Sequence, residues 1–291
     1  MNTGHYVFNA SAIGLGGVLA SPKRKIIPSL ASVALAPTGG EGSGLVTNYD
    51  DGDGISFDSA ETRVFGTGQG NDTYFTRADV MINNLNVFNQ LQVASMWASV
   101  TSIRQVDPAT GNVTDKTFTF QAEFLGVRVN GEEIDVPVDT KVFDDNPSYD
   151  DFVKALGSAG MADYRKLIGL EDSAATALVR SPRAKGDAAD LRTICCTAVS
   201  PRGPKGPNGF HVPIKGLGKA HLAEALVKQG RRRLTLLRLE LEPRGFAHIG
   251  SDDAPAPKMM LKDVVLLSRS PGGDGSMTVG SVEGNGTYTV P

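Results

Sequence analysis

The dipeptide Asn130-Gly131 constrains this chain more than any other local feature, because its flanks alternate in the way a two-residue hairpin requires. A type I′ turn needs positive φ at both central residues, and Asn-Gly is the preferred pair. A two-residue loop there sets the register. Val129 falls opposite Glu132, Arg128 opposite Glu133, Val127 opposite Ile134 and Leu125 opposite Val136. One face then carries an opposite-charge pair and the other an apolar pair, as cross-strand pairing favours. Turn chemistry and alternation therefore agree on an antiparallel ribbon.

The same reading extends along most of the chain. Strands are expected at Tyr6–Leu19, Ser32–Ala36, Ile55–Phe65, Phe75–Val87, Leu91–Val106 and Thr117–Val129, with Asp107-Pro108-Ala109-Thr110-Gly111 as a turn between two of them. Simple alternation puts Ile55, Phe57 and Ser59 on one face of their strand. It puts Leu91, Val93, Ser95 and Trp97 together on one face of another. Small residues recur on both faces, which suits closely packed sheets. At Asp144-Asp145-Asn146-Pro147 the pattern changes. Ser148 followed by Asp151 resembles a capping box, and the spacing predicts a helix over Tyr149–Leu156, a break at Gly157–Gly160 and a second short helix to Ile168. Strands resume at Ala177–Arg180 and Thr193–Val199. Ala220–Gln229 has helix-favouring composition. Leu234, Leu236, Leu239 and Leu241 suggest a buried strand, and the tail is expected to close with Met259–Ser268, Met277–Val282 and Thr287–Val290.

The expected fold is thus mainly β, an antiparallel sandwich or barrel-like structure with a short helical insertion near 148–170. Three stretches are distinguished: an acidic β region at 1–143, an insertion or linker at 144–174, and a basic β region at 175–291 that can pack on the first as one unit. Of 291 residues, the first 150 hold 9 Lys+Arg against 18 Asp+Glu, and the remainder hold 20 against 14. Charge asymmetry of this kind reports on partners rather than fold. Basic loop residues Arg183, Lys185, Arg202 and Lys205 and acidic turn residues Asp144 and Asp145 are the candidate contacts between neighbouring copies. Strand addition would use an open edge at Tyr6–Leu19 or Thr287–Val290.

Other chemistry finds little support. The two cysteines, Cys195 and Cys196, are adjacent, so they face opposite ways in a strand and read as one buried and one half-exposed free thiol. Asp50, Asp51 and Asp53 are candidate Ca²⁺ ligands. The EF-hand spacing fails, since placing Asp51 and Asp53 at positions 3 and 5 puts Tyr49 and Ala60 where ligands belong, and a solvated Asp-Gly turn is preferred. Gly216-Leu217-Gly218-Lys219 lacks the first glycine and the hydroxyl residue of a phosphate loop. His5, His211, His221 and His248 form no metal or nucleophile motif. Arg231-Arg232-Arg233 reads as a solvated strand end rather than a nucleic-acid patch, because aromatics are sparse and the net charge is −3. No cofactor is expected. No apolar run approaches a membrane span, and Met1–Lys25 does not read as a signal peptide, so the chain as written is expected to stay where it is made.

Two stretches carry a family resemblance. Glu123-Phe124-Leu125-Gly126-Val127-Arg128-Val129-Asn130-Gly131 runs into Ile134-Asp135-Val136. Phe210-His211-Val212-Pro213-Ile214-Lys215-Gly216-Leu217-Gly218-Lys219 continues through Glu224 to Arg232-Arg233-Leu234-Thr235-Leu236-Leu237. Together they resemble bacterial β-rich proteins of the choice-of-anchor P type. The resemblance implies an extracellular or surface-displayed β module without an assigned catalytic residue, and it favours strand over helix at Ala220–Gln229. The leading functional expectation is a non-enzymatic structural protein that self-associates into a homo-oligomer, ring or filament. A carbohydrate- or polyanion-binding module is the alternative, and a hydrolase with an unrecognised site is the third reading.

Overall fold

In a computed structural model, which describes residues 5–19, 25–168, 194–199, 211–215, 217–228, 231–241 and 275–289, the chain is a sandwich of two antiparallel sheets. The expected strands at Ala177–Arg180 and Met259–Ser268, and the basic residues Arg183, Lys185, Arg202 and Lys205, lie outside the described residues.

The seven-stranded sheet has the order β10(His211–Ile214), β11(Gly218–Lys228), β12(Arg231–Leu241), β13(Gly275–Thr289), β1(His5–Leu19) and β2(Lys25–Ala34), with β9(Ile194–Thr197) beside β10 along the same side of β11. The six-stranded sheet runs in sequence order: β3(Gly40–Asp50), β4(Ile55–Gly70), β5(Thr73–Val87), β6(Leu91–Val106), β7(Val113–Val129) and β8(Glu132–Ile134). The acidic and basic stretches do not occupy separate sheets, since β1 and β2 pair into the sheet that contains β9–β13. β1 is also not an open edge: it lies between β13 and β2, and Thr287–Thr289 pair with its first residues. Of the stretch expected at Ala220–Gln229, the described residues Ala220–Lys228 fold within β11, because burial on both faces outweighs their helix propensity.

The Asn130-Gly131 turn forms as expected, with φ of 54° and 86° and pairs Val129–Glu132, Arg128–Glu133 and Val127–Ile134. Pairing stops there. Leu125 is 53% exposed while Val136 is buried, so they do not face each other. The reason is Gly126, whose φ of +58° turns the strand over.

This reversal is not local to β7. Inward residues of β4 are Ile55 and Phe57, then Ala60, Thr62 and Val64. In β6 they are Leu91 and Val93, then Met96, Ala98 and Val100. Ser59, Ser95 and Trp97 therefore face outward or into intermediate positions, contrary to simple alternation. The change falls on one line across the sheet, marked by left-handed residues on alternate strands: Asn48 on β3, Asn84 on β5 and Gly126 on β7. The pairs Thr47–Ser59, Ser59–Asn83, Asn83–Ser95 and Ser95–Leu125 run alongside it. The other sheet repeats the device, with Ala31 on β2, Gly280 on β13 and Ala223 on β11 at positive φ. The pairing register is unbroken across these lines, so no residue is inserted; each strand changes its side-chain phase by one while keeping its partners. Because both sheets shift together, the core continues through the bend.

The sheets approach closely at the first line. A Cβ on Gly14 would lie 2.9 Å from Ala60 Cβ, and one on Gly44 would lie 3.1 Å from the Ala31 carbonyl carbon. Thr62 Oγ1 donates to Ala31 O at 2.9 Å, satisfying a carbonyl that the left-handed turn removes from the ladder.

The helical insertion contains α1(Lys141–Asp144), α2(Tyr149–Leu156) and α3(Ala162–Leu167). α2 has the expected limits: Asp151 N–H donates to Ser148 Oγ at 3.0 Å, and Ser148 Oγ donates back to the Asp151 carboxylate at 2.6 Å. A chain of rings, Phe118–Phe120–Phe143–Phe152, joins the insertion to β7.

Candidate functional site

Among the described residues, a dense group of ionisable side chains sits where β9, β11 and β12 lie side by side. Register brings them together: His221 pairs with Arg238, Lys219 with Glu240, and Glu224 with Thr197 on β9 and Thr235 on β12. Arg238 is the hub. Its guanidinium binds Glu224 at 2.7 Å and donates to Glu240, and Nη2 lies 3.0 Å from His221 Nδ1. A guanidinium has no acceptor, so His221 Nδ1 must accept and its proton resides on Nε2. That Nε2 faces Glu240 Oε1 at 3.1 Å, and Lys219 approaches Glu240 at 2.8 Å. Hydrogen bonds from His221, then from Lys219 and Arg238, hold the Glu240 carboxyl far below its ordinary range against the cost of burial.

Cys195 borders this network from β9. Burial, reinforced by the Glu224 charge, pushes its thiol up to about 12 despite Arg238. Such a thiol is protonated at neutral pH and is a poor nucleophile. Cys196 points the other way and is buried, and both cysteines are free. The network is a set of mutually satisfied charges: each acid has its cation and the histidine ring is held on both sides. None of these positions formed a motif in the sequence, because only the β11–β12 register brings them together.

The three consecutive arginines that open β12 divide as strand residues must. Arg231 makes a bidentate pair with Glu283 at 2.6 and 2.8 Å. Arg232 turns inward, 2% exposed, stacks over Phe118 at 4.7 Å and donates to the carbonyls of Asn146 and Pro147. The expected solvated strand end is thus corrected: Arg232 ties the helical insertion to the sandwich, since five N–H donors suit two free carbonyls and a ring face.

Asp144 also has a local role. Burial raises its carboxyl, while Thr140 Oγ1 at 3.0 Å and the Phe120 amide of β7 act in the opposite direction. Asp145 is exposed at the end of α1. Asp50, Asp51 and Asp53 form the β3–β4 turn. Asp50 Oδ1 accepts from Gly52 N–H, and Asp51 Oδ1 accepts from the amides of Asp53 and Ile55.

The outer face of the six-stranded sheet is different in kind. Among the described residues, four of the five large exposed hydrophobics lie on it: Leu45 at 64%, Leu125 at 53%, Met81 at 41% and Phe65 at 40%. Leu45, Glu61, Met81, Trp97 and Glu123 are successive cross-strand neighbours. Phe65 contacts Phe75 at 5.9 Å with the rings tilted by 59°. Charges of both signs are interspersed, with Arg63 held by Glu61 and Arg77 by Asp79. No helix among the described residues is long and apolar enough to cross a membrane.

No curated protein and no solved structure matches this chain. The matching family model covers residues 6–228, from the start of β1 to the end of β11, and so takes in the whole six-stranded sheet and the helical insertion. The chain belongs to the family described as a domain of unknown function, DUF8256.

Proposed function

We propose that this protein is a non-enzymatic structural module that self-associates through the outer face of its six-stranded sheet. The carrying observation is the concentration of Leu45, Phe65, Met81 and Leu125 on that one face. Large apolar residues gathered on one exposed face mark an interaction site. Five strands spaced about 4.8 Å apart, each presenting about five outward residues roughly 6.7 Å apart, make a face of about 800 Å². That is about what one partner contributes to a standard stable interface. Interspersed Glu61, Arg63, Arg77, Asp79 and Glu123 give the face both signs of charge, so a second copy can complement it. The tilt between Phe65 and Phe75 denies a sugar ring a flat stacking platform and supports a protein partner over a glycan.

The mode differs from simple strand addition. Pro28 on β2 and Pro213 on β10 lie on edge strands, and α1 covers part of β7. Prolines and covering elements discourage edge pairing. Sheet-on-sheet stacking, with interdigitating side chains, fits the surface better. The Cys195 thiol and the satisfied Arg238 network support a non-catalytic reading.

Light scattering over a concentration series, on wild type and on Leu45→Lys/Met81→Lys, tests this reading. Wild type is expected to exceed the monomer mass and the double variant to stay monomeric with unchanged circular dichroism. A monomeric wild type at high concentration and low salt contradicts the proposal.

A further inference from the structure

The Asn130-Gly131 turn does more than close its hairpin. The Asn130 side chain leaves the six-stranded sheet and fastens β10, the end strand of the other sheet. Its Nδ2 donates to Pro213 O at 3.3 Å, and its Oδ1 accepts from the Lys215 N–H at 2.9 Å. One side-chain amide thus serves a carbonyl and an N–H of the same segment, as a neighbouring strand would. The Asn130 N–H is tied as well, donating to Gln90 O at 2.7 Å. β10 is short, and its ladder to β11 runs only from His211–His221 to Ile214–Gly218. Asn130 is exposed, and a Cβ on Gly131 would meet nothing within 4 Å. The amide is therefore open to water, and no side chain at residue 131 hinders the approach of that residue's own nitrogen.

We propose that Asn130 is a site of spontaneous deamidation, and that its conversion unfastens β10 from the hairpin. The Gly131 main-chain nitrogen attacks Asn130 Cγ, the Cγ–Nδ2 bond breaks, and Nδ2 leaves as ammonia, taking the Gly131 proton. The cyclic imide then adds one solvent water and opens at either carbonyl, leaving aspartate or isoaspartate at position 130. Aspartate is an acceptor only, so Pro213 O loses its donor and meets a negative charge. Isoaspartate lengthens the backbone by one methylene and also breaks the two-residue turn. Either product loosens β10 from the margin of β11 at Gly218–His221, and an uncovered strand edge is available for pairing. Reaction requires the amide to leave β10 and fold back on Gly131, so the latch sets its pace. Asn285-Gly286, the other such pair among the described residues, lies within β13 opposite Asn9 and Phe8 and holds no separate strand.

The test incubates the full chain near neutral pH, folded or denatured in guanidinium chloride, and maps aspartate and isoaspartate residue by residue by mass spectrometry. Asn130 should convert in the folded chain, more slowly than in the denatured one. Conversion confined to the denatured chain overturns the modification site, and equal rates overturn the latch. Hydrogen exchange reads the consequence. Asn130→Asp is the direct product, and Asn130→Gly keeps a residue suited to the turn while removing both side-chain bonds without adding charge. Each should speed exchange over 211–215 and 218–221 roughly fivefold, as the loss of one hydrogen bond gives, with β4 and β6 unchanged. Unaltered exchange in both variants overturns the release of β10.

Discussion

Glycine and alanine set how near the two sheets can come. At Gly14 a methyl group would meet Ala60 Cβ at 2.9 Å, Ala31 Cβ at 3.1 Å and Leu30 O at 3.1 Å, with two backbones behind them. Gly14→Ala should therefore destabilise by about 1–3 kcal/mol through overpacking, read as a lower denaturation midpoint with unchanged slope. A neutral result would mean that the sheets are further apart than described. Cys195 makes a second prediction at this scale. Its thiol is raised to about 12 from an ordinary 9.0. Below pH 9 the thiol is protonated in folded and unfolded chains alike, and its contribution to stability is complete. Between pH 9 and about 12 the unfolded chain ionises first, so stability falls as pH rises. Alkylation of native protein at pH 8.5 should accordingly be far slower than that of a free thiol. Reaction at the free-thiol rate would contradict the enclosure of the half-buried Cys195 thiol beside Glu224. Some residue roles were readable in advance. Asn130 and Gly131 were, because only that pair suits the turn. The Asp51 turn was readable as a turn, but its ion pair was not, since Lys25 lies 26 positions away and reaches it only through the sandwich.

Among the elements, β1, β5, β6 and α2 follow closely from pattern and capping chemistry, whereas β3 does not. Gly40-Glu41-Gly42-Ser43-Gly44 has no β-branched residue and no inward side chain beyond glycine, and it is a strand because the edge of β4 offers it a ladder from Gly40–Gly66 to Asp50–Ser56. The side-chain facing beyond each kink was equally hidden. Asn48, Asn84 and Gly126 are residue types that tolerate the left-handed region, but Ala31 and Ala223 carry no such signature. A period of two is a sound rule for one unbroken strand, and here every long strand of the six-stranded sheet changes phase once. The charged network shares this cause: His221, Glu224, Arg238 and Glu240 meet through register, across a kink at Ala223. For α2, whose cap was legible, Ser148→Ala should cost about 1 kcal/mol, because the Asp151 amide loses its acceptor. Retention of full stability would show that the insertion is held by Arg232 and the phenylalanine chain alone.

At the scale of the molecule, the chain threads one sheet in sequence order and completes the other with strands from both of its ends. β13 lies beside β1 for fifteen residues, so the closing strand sits within the seven-stranded sheet and not at its margin. The six-stranded sheet is left with a broad outer face bearing exposed Leu45, Phe65, Met81 and Leu125, and the self-association reading rests on that face. The most direct test places a spin label there. In a Cys195→Ser background, Gln121→Cys labels the outer face beside Ser99, and Thr278→Cys labels the outer face of the opposite sheet as a comparison. Dipolar spectroscopy should give a defined interchain distance from position 121 that grows in amplitude with protein concentration, and none from position 278. Interchain coupling from position 278 alone, or from neither position at any concentration, would contradict association through this face.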